Sequence, residues 1–318
     1  MTNLHIKLHI KLAGPRGFCA GVVRAIEIVE RALAKFGAPV YVRHQIVHNP
    51  HVVARLEQMG AIFVKELGEV PQGTTQPVVF SAHGVAKSVV AEAEARGFMV
   101  LDGTCPLVSK VHMEAQLHHR LGRHVVLVGH KGHVEVVGTM GQVPACGITL
   151  VETVADVAAL NFAPNVDLAF TTQTTLSVDE TADIIAALRQ KYPKLVGPKK
   201  EDICYATTNR QAAVKQIAKT ADLFLVVGAQ NSSNSNRLVE TALSHGAKAA
   251  YLINDAREIN WDWLTDDVQL LGLSSGASAP EDLVQGVLAA LAQRFIITTE
   301  EVVVAVEDVL FNVPRILA

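Results

Sequence analysis

Cys19 in G-P-R-G-F-C-A-G, Cys105 in D-G-T-C-P-L-V and Cys204 in E-D-I-C-Y-A-T place one thiol in each third of the chain, each in a short loop-like segment. A zinc ribbon or a thioredoxin-type site needs paired C-x-x-C thiols, so this spacing excludes both. It also excludes the local C-x-x-C-x-x-C run of ferredoxins. Three soft ligands delivered from separate loops suit an iron–sulfur cluster that keeps one iron open for chemistry. Small or helix-breaking residues follow two of the thiols, Ala20-Gly21 and Pro106. They place the sulfur at a helix start. Cys146, in V-P-A-C-G-I, lacks such a context and reads as a buried structural thiol.

Three histidines recur at the junction of a strand and a helix: His48 in R-H-Q-I-V-H-N-P, His83 in S-A-H-G and His133 in G-H-K-G-H-V-E. An imidazole can donate hydrogen bonds to an anion and gain a proton as the anion arrives. Among the 13 histidines, His5, His9, His118, His119, His124 and His245 read instead as solvated or structurally satisfied. Glu135, two residues beyond His133 and read as part of the same loop, is the candidate acid. Thr174, in T-T-Q-T-T, reads either as a proton relay or as the N-cap of the next helix.

The last third supplies N-S-S-N-S-N (Asn231–Asn236) and S-S-G-A-S-A-P (Ser274–Pro280), each after an apolar strand and ahead of a helix. Either could be a plain turn. Together they offer hydroxyl, amide and helix N-terminal donors for a phosphate group. Neither is a Walker loop or a dinucleotide fingerprint, so a nucleotide is not supported.

These loops need scaffolding, and the chain alternates short apolar strands with amphipathic helices throughout. Strands are predicted over 5–13, Pro39–Val42, Val78–Phe80, Met99–Leu101, Val125–Val128, Leu168–Thr171, Leu223–Val227, Ala249–Leu252 and Gln269–Leu273. Helices are predicted over Val22–Phe36, Val52–Gln58, Lys87–Arg96, from Val108, and over Asn209–Lys219 and Arg237–His245. That alternation describes parallel α/β sheets, which bind ligands beyond the carboxyl ends of their strands. The expected architecture is three small α/β lobes, over 1–104, 105–200 and 201–290, with a tail at 291–318.

With 318 residues, 49% apolar and 19% charged, the chain is long and apolar enough for a large core. A net charge of −3 gives no basic footprint for nucleic acid. Four cysteines are too few for a secreted disulfide scaffold, so a reducing, cytoplasmic setting is expected. No apolar stretch of signal-peptide length follows H-I-K-L-H-I-K-L, so no signal peptide is expected, and no apolar run approaches the ~18 residues of a membrane span.

The motifs R-G-F-C-A-G, R-H-x-I-V-H-N, S-A-H-G-V, T-C-P-L-V-x-K-V-H, G-H-x-G-H-x-E-V-x-G-T-M-G-Q, T-Q-T-T-L-S-V-D-x-T, D-I-C-Y-A-T-x-N-R-Q, N-S-S-N-S-N-R-L and G-A-S-A-P occur in this order. Together they resemble the IspH/LytB family of 4-hydroxy-3-methylbut-2-enyl diphosphate reductases. The resemblance runs from about residue 13 to residue 285, and F-N-V-P-R is similar to the family's C-terminal tail. It implies a trefoil-like arrangement of three α/β lobes around a central 4Fe-4S cluster held by Cys19, Cys105 and Cys204. It further implies that His48, His83, His133, Ser232, Ser233, Asn234 and Ser278 bind the substrate diphosphate. Glu135 would be the proton source, with Thr174 its partner beside the substrate hydroxyl. The implied reaction removes that hydroxyl with two electrons from an external flavodoxin- or ferredoxin-type donor. It yields isopentenyl and dimethylallyl diphosphate, the last step of the non-mevalonate pathway.

Three positions depart from the pattern: Val23 for Asp, Val134 for Pro and Val137 for Glu. Loss of the proline threatens the placement of Glu135, because proline fixes φ. Two rivals remain from the residues alone. An aconitase-type hydro-lyase would need no reductant, and an iron- or redox-sensing protein would bind no diphosphate.

Overall fold

The computed structural model describes residues 6–318, and His5 and the start of the predicted first strand lie outside them. The chain opens with β1 (Lys7–Gly14), α1 (Ala20–Phe36), β2 (Val40–Arg43), α2 (Pro50–Gln58), β3 (Ala61–Val64), β4 (Val78–Phe80), α3 (Lys87–Ala95) and β5 (Val100–Asp102). It continues with α4 (Pro106–Arg120), β6 (His124–Val128), α5 (Val134–Met140), β7 (Ile148–Val151), α6 (Val154–Ala159), β8 (Leu168–Thr172) and α7 (Val178–Lys191). The last part holds α8 (Tyr205–Ala218), β9 (Leu223–Val227), α9 (Ser233–Ser244), β10 (Ala249–Ile253), β11 (Leu270–Ser275), α10 (Glu281–Ala292) and β12 (Ile296–Val303).

The strands form three sheets, ordered β10-β9-β11-β1-β12, β3-β2-β4-β5 and β7-β6-β8. Every pairing is parallel, as the strand–helix alternation predicts. Two compact units contain them. One joins the chain up to Cys19 with Tyr205–Val309, and the other joins Ala20–Cys204 with Leu310–Ala318.

In the first unit, β1 lies between β11 and β12, pairing His9 with Leu270 and Lys7 with Ile296. Leu8, Ile10 and Leu12 point to one face of this sheet and pack with Val284, Val287 and Leu291 of α10. The other face carries Phe224 and Val226 beneath Val214, Ile217 and Leu238 of α8 and α9. Gly272 sits opposite Phe224, and a Cβ there would lie 2.4 Å from the ring. The glycine lets the aromatic ring lie flat across the neighbouring strand. In the second unit, Tyr41, Val78 and Phe80 anchor one core. Val126, Val128, Phe170, Ile184 and Leu188 anchor another.

Helix starts differ from the sequence expectation in one consistent way. The helices predicted from Val22, Val108, Asn209 and Arg237 begin at Ala20, Pro106, Tyr205 and Ser233. Polar or small first turns carry no apolar periodicity, so a pattern reading enters each helix late. Cys19, Cys105 and Cys204 each stand immediately before the first residue of a helix. The strands β3, β7 and β12 carry no clear sequence signal, and β12 is a largely exposed edge strand rich in Thr and Glu. Cys146 departs from its reading as a buried thiol. It lies exposed in a short 3₁₀ turn (Ala145–Gly147) and packs in no core. No described helix is long and apolar enough to cross a membrane.

Candidate active site

Apart from Cys204, which comes after α7, each candidate residue follows the carboxyl end of a strand in the chain, where a parallel sheet presents its ligand loops. In the second unit, His48 follows β2, His83 follows β4 and His133 caps α5 after β6. Their rings gather, with centroids 4.2 Å apart for His48 and His83, 5.7 Å for His48 and His133, and 6.0 Å for His83 and His133. Gly84, next to His83 in the chain, makes room for the His112 ring. Its φ is +76°, and a Cβ would come within 2.6 Å of the His112 ring.

Burial lowers all three imidazoles, helped by neighbouring histidines: His44 for His48, His48 and His130 for His133, and His48, His133 and His44 for His83. His48 and His133 fall to about 4, and His83 falls well below its ordinary value. The three are therefore neutral at pH 7, ready to donate and to gain protons beside an anion. His133 shows its tautomer: Nδ1 accepts the Glu135 backbone N–H at 3.2 Å, leaving the neutral ring's proton on Nε2.

Glu135 is the second residue of α5, not a member of a loop, and its side chain is buried. Thr174 donates its backbone N–H to one carboxylate oxygen at 2.7 Å and its hydroxyl to the other at 2.9 Å. Burial raises Glu135 to about 7, even though the two Thr174 bonds pull the other way. A carboxyl titrating there can hold and release a proton at neutral pH. The N-cap of α7 is Ser177, so the capping role considered for Thr174 belongs elsewhere. Val134 occupies the first helical position after the His133 cap. The His133 ring and Thr174 fix Glu135 without the proline that the pattern carries there.

In the first unit, Ser232 caps α9, and Ser233 and Asn234 form its first turn. Asn234 is 5% exposed, and neither its amide nitrogen nor its amide oxygen has a hydrogen-bond partner among the described residues. Ser274 and Ser275, at the end of β11, are fully buried with unpartnered hydroxyls. Buried polar groups without partners are rare in native proteins and point to a ligand that supplies them. Ser278 follows on the same loop.

The thiols tie directly to these loops. The Cys19 N–H donates to Ala277 O at 3.2 Å, one residue before Ser278. The Cys105 N–H donates to Ala82 O at 2.9 Å, one residue before His83. The Cys204 N–H donates to Thr174 O at 3.0 Å. No cysteine is in a disulfide. Among the described residues no three His, Cys, Asp or Glu side chains gather to hold a single metal ion. A cluster takes its thiolates on separate irons and makes no such demand. Each of the three thiols stands at a helix start, where the helix dipole favours a negatively charged ligand, and this donor chemistry fits such a group.

Sequence reasoning passed over Ser274 and Ser275 individually, although their segment was singled out. It also passed over Gln173, whose Oε1 accepts the His130 N–H at 3.0 Å and so braces the G-H-K-G-H loop. Its place inside T-Q-T-T was the available signal.

The profile of the LytB protein family matches residues 10–292. The chain belongs to the LytB family. Family relatives support this over nearly the whole length. The chain is 60% identical over 311 residues to 4-hydroxy-3-methylbut-2-enyl diphosphate reductase of Hyphomonas neptunium, covering 98% of each chain. It is 58% identical over 311 residues to the reductase of that name from Phenylobacterium zucineum, again covering 98% of each. The structure is similar to that of the E-1-hydroxy-2-methyl-but-2-enyl-4-diphosphate reductase of Plasmodium falciparum, with a TM-score of 0.91 and 38% identity over 99% of this chain and 97% of that one. A second solved structure, an (E)-4-hydroxy-3-methyl-but-2-enyl diphosphate reductase described as the terminal enzyme of the non-mevalonate pathway, gives 0.63 at 30% identity over 90% of this chain and 99% of that one.

Proposed function

We infer that the chain is a 4-hydroxy-3-methylbut-2-enyl diphosphate reductase acting at the end of the non-mevalonate isoprenoid pathway. The observation that carries the activity is the 60% identity, over nearly all of both chains, to a reductase of that name. The residue roles rest on the chemistry of the side chains. Cys19, Cys105 and Cys204 would hold a 4Fe-4S cluster with one iron lacking a protein ligand. When bound, that group supplies electrons and a Lewis-acidic iron for cleavage of an allylic C–O bond.

The side chains do the rest. His48, His83 and His133, with Ser232, Ser233, Asn234 and Ser278, hold the diphosphate by hydrogen bonds and orient the far hydroxyl. The neutral imidazoles donate and take up protons as the anion binds. The Glu135 carboxyl delivers its proton, by way of the Thr174 hydroxyl, to the departing oxygen, which leaves as water. Two electrons enter, and a second proton adds at either end of the allyl fragment, giving the two isomers. The electrons come from an external donor of flavodoxin or ferredoxin type, in a cytosol that keeps the thiols reduced.

The test is an anaerobic assay of the iron- and sulfide-reconstituted protein with a chemical reductant. Two electrons consumed per diphosphate, with isopentenyl and dimethylallyl diphosphate formed, is the expected result. Loss of water from the diphosphate with no reductant consumed, giving a dehydrated product and neither isomer, would make the protein a hydro-lyase instead. Cluster uptake with no diphosphate binding would make it a sensor.

A further inference from the structure

Each helix that follows one of the three cysteines carries a cation early in its length, and none of the three has a role so far. In α1, after Cys19, Arg24 donates from Nη1 to Thr104 O at 3.0 Å and from Nη2 to Asp102 O at 3.3 Å. Those carbonyls lead into Cys105. In α4, after Cys105, Lys110 donates to Lys200 O at 2.5 Å, Glu201 O at 3.1 Å and Asp202 Oδ1 at 2.9 Å. Those acceptors lead into Cys204. In α8, after Cys204, Arg210 donates from Nη2 and Nε to Gly17 O at 2.7 and 3.2 Å. That carbonyl leads into Cys19. The order closes on itself, and each contact lies inside one unit.

The donor chemistry suits the task. Carbonyls in a loop before a helix have no ladder partner and must be satisfied some other way. Lys110 spends its three donors on three acceptors, and Arg210 places two arms of its fork on one oxygen. Asp202 extends the Lys110 contact, since its other carboxylate oxygen accepts the Thr172 N–H at 2.9 Å. Arg210 is wholly buried and needs Glu307, at 3.0 Å, as its counter-charge. Burying a charge is a poor way to gain stability, because an apolar residue of similar size often serves as well. A positional role gives the buried cation a reason.

We propose that Arg24, Lys110 and Arg210 are positioning residues for the iron–sulfur cluster, each fixing the loop of the next cysteine in a closed cycle. The proposal rests on the cysteine assignment above. Arg31 is the internal control, because it too binds a carbonyl, Leu317 O at 3.0 Å, but no cysteine loop.

The experiment uses the reconstituted holoprotein and the variants Arg24→Met, Lys110→Met, Arg210→Met and Arg31→Met. Three readouts are followed: iron release to excess chelator, the electron-paramagnetic spectrum of the reduced cluster, and far-UV circular dichroism of the folded chain. Outer contacts to metal ligands typically change metal affinity about 10- to 100-fold, and iron release from the first three variants should quicken by that order. Their spectra should shift, whereas Arg31→Met should match wild type. Arg24→Lys should recover part of the loss. If Arg24→Met and Lys110→Met fold and release iron at the wild-type rate with the wild-type spectrum, the proposal is wrong, whatever becomes of the buried Arg210→Met. Iron loss that tracks Arg31→Met would also overturn it, as general destabilisation. A wild-type chain that takes up no iron would instead overturn the cysteine assignment on which the proposal stands.

Discussion

Thr174 grips both oxygens of Glu135, one with its backbone N–H and one with its hydroxyl, while burial holds the same carboxyl near pH 7. The two influences oppose each other, and their balance sets the acid's working range. An exposed Glu would be ionised at neutral pH and useless as a proton source.

Glu135→Gln keeps the shape and the contacts but carries no transferable proton. Substrate should still bind, and turnover at saturating reductant should fall by ~10²–10⁴, the usual contribution of a positioned acid. Near-normal turnover would remove Glu135 from the mechanism.

The pH dependence has a definite sign. Wild-type turnover should decline as pH rises through about 7, because Glu135 loses its proton there. The stability contribution runs the same way: the raised carboxyl favours the folded state fully below its unfolded value near 4.5, and the benefit disappears as pH climbs to about 7. Thr174→Val removes one of the contacts that pull this value down. The alkaline limb of its pH–rate profile should move upward even as turnover drops. A limb that stays fixed or moves to lower pH would contradict the assignment.

His48→Ala or His133→Ala should weaken substrate binding by about 1.5–3 kcal/mol, the value of a charge-assisted hydrogen bond, with iron content unchanged. Both imidazoles are neutral when the site is free, so binding the anion should draw protons from solution. Calorimetry in buffers of different ionisation heat counts them, and His133→Ala should take up fewer than wild type. Equal uptake by the two would place the diphosphate elsewhere.

Asn234 offers a contrast between stability and function. An unsatisfied buried amide costs about 1–3 kcal/mol. Asn234→Leu should therefore leave the ligand-free protein as stable or more stable in thermal unfolding, while weakening diphosphate binding. A variant that loses stability and keeps affinity would assign Asn234 to packing.

Cys19→Ser, Cys105→Ser and Cys204→Ser should each lose iron on reconstitution, because a serine oxygen is a harder and poorer ligand for cluster iron. Cys146→Ser should keep it, since that residue sits exposed on a 3₁₀ turn. Iron loss from Cys146→Ser alone would overturn the ligand set.

The parallel sheets were legible because short apolar runs such as Leu223–Val227 are continuous and end in polar turns. Helix entries were less so: Tyr205 and Ser233 open first turns whose polarity hides the 3.6-residue period. The histidines could be named from their loops, yet their close approach depends on three strands far apart in sequence. Asn234 could be named from its motif, but its empty hydrogen-bonding capacity is a property of burial. Arg24, Lys110 and Arg210 look like ordinary helix-surface cations in sequence; only the carbonyls they reach distinguish them.

The placement of β1 has a consequence for synthesis. Both of its neighbours, β11 and β12, are made some 260 to 290 residues later, as the pairings His9–Leu270 and Lys7–Ile296 require. The strand that leads to Cys19 therefore waits unpaired while almost the whole polypeptide emerges, whereas Ala20–Cys204 can close its own sheets earlier. A nascent or prematurely terminated chain thus has Cys105 and Cys204 in folded surroundings but no fixed seat for Cys19. If Cys19, Cys105 and Cys204 hold the cluster as proposed, its seat is complete only once β11 and β12 have been made and paired with β1.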